Sequence, residues 1–131
     1  YGAMAHDTLF SVPTAALTRA EAGQAALQVK ALGRKPLNDG LSMDKNDNIF
    51  ITDVEHGSVM KMTPAGLLST VVQDVKRLRW ADALSFGPDG WLYVADSAIP
   101  DQMLRSKAHM RAQAPYRIFR FKPGTEGVPG Q

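Results

Sequence analysis

The chain has 131 residues, 44% hydrophobic and 21% charged, with a net charge of +2 and no cysteine. That composition suits one globular domain with its own core and excludes disulfides, thiolate metal centres and cysteine nucleophiles. No apolar run approaches the ~20 residues of a bilayer span, and no charged and apolar leader pattern opens the chain, so it reads as soluble with no membrane partner.

The first element in chain order is "TLFSVP" (8–13), a strand closed by Pro13. In "TAALTRAEAGQAALQVKALG" (14–33) the propensities predict a short helix near 14–22 with Thr14 as N-cap. A strand is expected near 27–32, where Leu27, Val29 and Ala31 alternate. Four strands then follow at short intervals: "GLSMD" (40–44), "NIFITD" (48–53), "SVMKMT" (58–63) and "LLSTVVQ" (67–73). Polar or Gly-containing turns separate them, as antiparallel hairpins require. The pattern restarts with "ALSF" (83–86), a "GPDG" turn and "WLYVAD" (91–96). The next strand, "YRIFRF" (116–121), is delayed by an insertion at 97–115. That insertion reads as a short helix or ordered loop, with Met103, Leu104, Lys107 and Met110 as one face. The Gly/Pro-rich residues 123–131 read as a flexible tail.

The restart is an internal repeat. "DGLSMDKNDNIFITD" (39–53) lies over "DALSFGPDGWLYVAD" (82–96) without a gap at an offset of 43 residues. Asp39, Leu41, Ser42 and Asp53 recur as Asp82, Leu84, Ser85 and Asp96. A strand-built repeat of this length is the mark of β-propeller blades, each a four-stranded antiparallel sheet. The expected fold is therefore all-β: a partial propeller of about two and a half blades with a short helical insertion. Residues 1–36 give outer strands of a first blade, 37–79 a complete blade, and 80–122 a three-stranded blade. A closed ring needs ~4–8 blades, so further sequence or other copies must close it, and a homo-oligomer is expected.

Few residues advertise chemistry. Basic residues gather at Lys76, Arg77 and Arg79 and again at Arg105, Lys107, Arg111, Arg117 and Arg120. They lack the interleaved aromatics of a nucleic-acid groove and read as solvated faces, so no nucleic-acid partner is expected. "DKNDN" (44–48) starts like a calcium loop but has Ile49 where that loop needs glycine, so it reads as a polar hairpin turn. His6, His56 and His109 stand apart in predicted loops. No nucleophile elbow, phosphate loop or dinucleotide fingerprint occurs, and no catalytic residue is assigned. Trp80, Phe86, Trp91 and Tyr93 read as inter-sheet core, with a second reading of Trp80 as a stacking platform for a ligand.

"KPLNDGLSMDKNDNIFITDVEHGSVMKM", "VQDVKRLRWADALSFGPDGWLYVADS" and "APYRIFRF" together resemble the C-terminal portion of the yellow/major royal jelly protein family. "YGAMAHDTLFSVPTAAL" is similar to that family's preceding blade. The resemblance implies a six-bladed propeller and secretion or a periplasmic location. It also implies a distant relation to gluconolactonase and senescence-marker lactonases, hydrolases that hold a divalent cation, such as calcium, at the mouth of the central channel.

Asp39 matches an aspartate ligand of those lactonases, while their glutamate and asparagine ligands come from blades outside this chain. Asn38 stands beside it, and Asp82 occupies the equivalent turn one blade on. Two readings of Asp39 stand side by side: a metal or ligand contact, or an Asx cap on a tight turn eased by Gly40. Two functions follow. One is a noncatalytic binding or scaffold propeller unit that holds a small molecule at the channel face through Asn38, Asp82 and Trp80. The alternative is a metal-dependent lactonase-like hydrolase with Asp39 as one ligand.

Overall fold

A computed structural model describes residues 1–19 and 25–128. All nine expected strands form. They are β1 (Thr8–Ser11), β2 (Lys30–Arg34), β3 (Leu41–Met43), β4 (Ile49–Asp53), β5 (Ser58–Met62), β6 (Leu68–Gln73), β7 (Ala81–Phe86), β8 (Leu92–Asp96) and β9 (Arg117–Phe121). They build three antiparallel sheets in simple meander order: β1-β2, β3-β4-β5-β6 and β7-β8-β9. The fold is all-β, an open run of sheets and not a closed propeller.

The middle sheet is covered on both faces, and the sequence of β4 reflects it. Ile49 and Ile51 point one way, into a cluster with Leu9 of β1 and with Met62 and Leu41. Phe50 points the other way, into a larger cluster with Val59, Leu78, Ala81, Leu84, Leu92 and Val94. A strand buried on both sides has no need of polar alternation, hence the unbroken "IFIT". In β8 only Leu92, Val94 and Asp96 are buried, while Tyr93 and Ala95 lie on the uncovered face of the third sheet. Its burial alternates for that reason. Phe50 and Phe86 meet edge to face at 5.5 Å across the larger cluster, a geometry worth about 1 kcal/mol beyond the area it buries.

The N-terminal region departs from expectation in detail. Helix α1 spans Thr14–Arg19, and the rest of the helix expected to residue 22 lies outside the described residues. A 3₁₀ turn at Ala25–Gln28 takes the start of the expected 27–32 strand, so β2 begins at Lys30. The buried ammonium of Lys35 donates to the carbonyls of Ala3, His6 and Pro36 and ties the opening loop to the first sheet.

The insertion at 97–115 is ordered, with a 3₁₀ turn at Ile99–Asp101 and helix α2 at Lys107–Ala112 capped by Ser106. The expected four-residue face does not form. Met103 and Leu104 fall in the turn before α2 and are exposed. The residues expected to trail away after 122 instead return to the middle sheet. Val128 N–H donates to Met43, Lys45 N–H donates to Glu126, and Gly127 bridges Asp44. Gly127 lies so close to Phe86 that any Cβ there would clash at 2.3 Å. Residues 129–131 of that expected tail lie outside the described residues.

Candidate functional site

The residues singled out by sequence converge where the first strands of the middle and third sheets begin. Leu37 and Gly40 continue the β3 ladder, accepting from Val54 and Thr52 N–H groups at 3.1 Å each. Those two bonds leave Asn38 and Asp39 opposite a single residue, Asp53, so the chain carries a bulge at this pair. The third sheet has its own register shift between Ala81 and Leu84, which bulges Asp82 and Ala83 in turn. Bulges commonly re-aim side chains beside binding sites. The two lie against each other: a Cβ on Gly40 would meet the Asp82 carbonyl oxygen at 2.1 Å. Glycine is required there by this approach.

Thr52 holds the Asn38–Gly40 loop in place. Its Oγ1 accepts from the Asp39 and Gly40 N–H groups at 3.0 and 2.9 Å. Asp39 is exposed, and its Oδ2 accepts from the Trp80 indole Nε1 at 2.9 Å. The Trp80 indole is thus a partner of Asp39, not an inter-sheet core side chain. Trp91 also departs from the expected core: it lies under Arg120 and Lys122, 4.4 and 5.2 Å from its ring centre. Phe86 does pack against the core as expected.

Asn38 is 1% exposed, and neither Oδ1 nor Nδ2 has a hydrogen-bond partner among the described residues. Ser42 and Ser97 also carry buried, unpartnered hydroxyls, and Ser97 N–H donates to the Trp80 carbonyl. Unsatisfied buried polar groups each cost about 1–3 kcal/mol, so folds retain few of them. Asn38 precedes Asp39, Asp39 holds the Trp80 indole, and the Asp82 backbone lies against Gly40, so the four positions share one polar corner.

A divalent cation fits this corner poorly. Calcium takes roughly 6–8 oxygen ligands, whereas the corner has only the side chains of Asn38, Asp39 and Asp82, and Asp39 is already engaged by Trp80. Among the described residues no group of three His, Cys, Asp or Glu side chains is placed to hold a metal.

None of the three histidines hydrogen-bonds to a side chain of the corner among the described residues. His56 pairs with Asp53 at 2.9 Å, and Ser58 Oγ donates to the same carboxylate at 3.3 Å. That trio puts aspartate between serine and histidine, so the histidine cannot take the serine proton as a catalytic triad demands. It serves instead to close the turn after β4, where Asp53 also accepts from the Glu55 and His56 N–H groups. His109 stands 3.5 Å from Asp101 within the insertion. "DKNDN" is the polar hairpin expected, with buried Asp44 accepting from Asn46 and Asn48.

Sequence reasoning missed Arg79. Taken as part of a solvated basic run, it pairs with Asp96 at 2.9 Å and donates to the Gln113 carbonyl at 2.9 Å. Its guanidinium lies 5.3 Å from the ring centre of Tyr116. Asp96 in turn accepts from Trp80 N–H at 2.9 Å. Arg79 thus ties the insertion to the strand beside the corner and helps fix Trp80. No helix among the described residues is long and apolar enough to cross a membrane. No family model matches the chain, and no curated protein matches it.

Proposed function

We propose that this chain is a noncatalytic binding or scaffold unit of yellow/royal jelly type, its sheets serving as propeller blades completed by further blades from other copies or other sequence. The Asn38–Asp39–Trp80–Asp82 corner faces the channel of that ring and holds a small polar ligand. One observation carries the reading: the buried Asn38 amide has no hydrogen-bond partner among the described residues, beside a carboxylate and an indole already held in position. An amide offers a donor and an acceptor together, the pattern that hydroxyl-rich molecules satisfy. The uncovered face of the third sheet supports the completion part, since a blade stacked there would bury Tyr93 and Ile118 as Phe50 is buried in the middle sheet.

The hydrolase reading needs a cation and ligands that the corner does not bring together, so no catalytic step is derived. Thermal melting with gluconolactone and, separately, with calcium chloride tests the choice. The binding reading expects a rise with the lactone that Asn38→Ala removes, without lactone hydrolysis. A rise with calcium that Asp39→Ala abolishes, together with hydrolysis, would establish the alternative. Failure of the lactone to shift the melt would count against this ligand class. For the completion part, sedimentation equilibrium of the chain should show a mass above the monomer, and a clean monomer would remove self-assembly.

A further inference from the structure

The middle and third sheets differ by one strand, and the difference leaves a groove. In the middle sheet β6 pairs with β5 and closes the outer side. In the third sheet β9 pairs only with β8 among the described residues. The other edge of β9 is open, and alternate residues of an antiparallel strand point their N–H and C=O groups to that side. Between β9 and β6 lies a cleft of about 280 Å³, lined by Val72, Leu78, Val94, Phe119 and Phe121, with Arg120 and the paired Arg77 and Asp74 also lining it. Phe119 and Phe121 of β9 line it, so a strand paired to the open edge of β9 would border it.

Charge narrows what that strand is. Arg117, Arg120 and Lys122 have no carboxylate within 4.0 Å among the described residues. Ile118 between the two arginines is 73% exposed. Cations on an edge strand oppose pairing with a like strand. A second copy docking β9 against β9 would crowd four arginines into one ribbon, and this disfavours self-pairing. An acidic strand meets the opposite condition, because cross-strand pairs of opposite charge stabilise a ladder.

We infer that the open edge of β9 binds an extended acidic peptide segment of a partner protein as a fourth strand, its alternate apolar residues filling the cleft beside Phe119 and its acidic residues facing Arg120 and Lys122, which share the opposite face. Binding is by strand addition: the main-chain ladder supplies affinity, and the cleft and the cations supply selectivity. The inference deepens the completion part of the reading above and is independent of the polar corner. Loss of lactone binding therefore leaves it untouched, and failure of peptide binding leaves the corner untouched.

The test uses fluorescence anisotropy with a labelled, end-blocked peptide Glu-Val-Glu-Val-Glu-Val-Glu. Saturable binding is expected, weaker by roughly tenfold or more when lysine replaces each glutamate, from the reversed cross-strand charge pairs. Arg120→Glu combined with Lys122→Glu, both exposed positions, should reverse that preference. N-methylation of alternate peptide groups keeps every side chain but blocks the ladder, and should abolish binding. If that variant pair fails to fold, the N-methylated peptide still decides with unaltered protein. The inference is overturned if the acidic peptide does not bind, if N-methylation leaves binding intact, or if the lysine peptide binds equally well. A dimer that buries β9 and excludes the peptide would assign the edge to a second copy and overturn it as well.

Discussion

Replacing Arg79 by alanine tests whether the insertion and Trp80 are held by one buried charge pair. The Asp96 side chain is 0% exposed and that of Arg79 18%. Without Arg79, the Asp96 carboxylate keeps only the Trp80 N–H, the Gln113 carbonyl loses its guanidinium donor, and the Pro115 carbonyl keeps only that of Arg117. Stranding a buried charge costs about 3–5 kcal/mol. The partial exposure of Arg79 lets water reach part of the gap, so the lower end, about 3 kcal/mol, is expected. With a urea slope of about 1–3 kcal/mol/M for a domain of this size, the unfolding midpoint should fall by roughly 1–3 M with the slope unchanged. Proteolysis should also become faster within residues 102–112. Adding Asp96→Asn to Arg79→Met should cost less than Arg79→Ala alone, because no charge then remains buried. A midpoint shift equivalent to less than about 1 kcal/mol, or a double variant weaker than Arg79→Ala, would refute the reasoning.

Three further outcomes are expected. Thr52→Val leaves the Asp39 and Gly40 N–H groups without their acceptor and should cost about 1–3 kcal/mol in urea unfolding, whereas Thr52→Ser should retain most of the stability. Gly40→Ala places a Cβ at 2.1 Å from the Asp82 carbonyl, so the two bulges must separate; an overpacking loss of about 1–3 kcal/mol should appear in thermal melts. Asp7, Asp74 and Glu126 are held below the usual carboxylate range by hydrogen bonds from Thr8, Arg77 and Lys45 respectively, with the nearby cations adding to each. Lowered folded pKa values give stability that is present above the unfolded values of 3.8 and 4.5 and is lost as pH falls through the folded ones. Asp7 and Glu126 are exposed and Asp74 is half-buried at the surface, so their part of the acid decline is small and should shrink in about 0.5 M salt, which screens surface pairs; urea midpoints between about pH 5 and 3 with and without salt check this.

The strands were legible because each hairpin carries two local signals, a β-branched or aromatic run and a turn residue, and neither needs tertiary information. Where local and tertiary demands diverge, the sequence misleads. The alternation of Leu27, Val29 and Ala31 resembles a strand, but the chain is wound into a 3₁₀ turn at Ala25–Gln28, and pairing with β1 starts only at Lys30. The glycines of 122–128 predict looseness by composition. Yet Gly127 is small because Phe86 presses against it, and the segment beside it is bonded to Met43 and Lys45. Glycine thus marked a close approach, a meaning that local sequence cannot distinguish from flexibility.

The corner was legible for a different reason. Asp39 and Asp82 recur at one offset, and a position repeated in two similar sheets falls at the same place in each, so their convergence follows from stacking. What holds the corner could not be read in this way, because its supports do not recur. Thr52 cradles the Asn38–Gly40 loop, but the residue at its offset is Ala95, which has no hydroxyl, and the third sheet makes its bulge by a register shift alone. Asp53 and Asp96 match in sequence but diverge in use: one closes its own turn, the other anchors Arg79 and Trp80. Arg79 was hidden by its neighbours, since Lys76 and Arg77 are solvated and a basic run carries no mark of which member turns inward. Only the Asp96 carboxylate, buried and in reach, distinguishes it. The repeated positions therefore locate the corner, and the unrepeated ones set its shape.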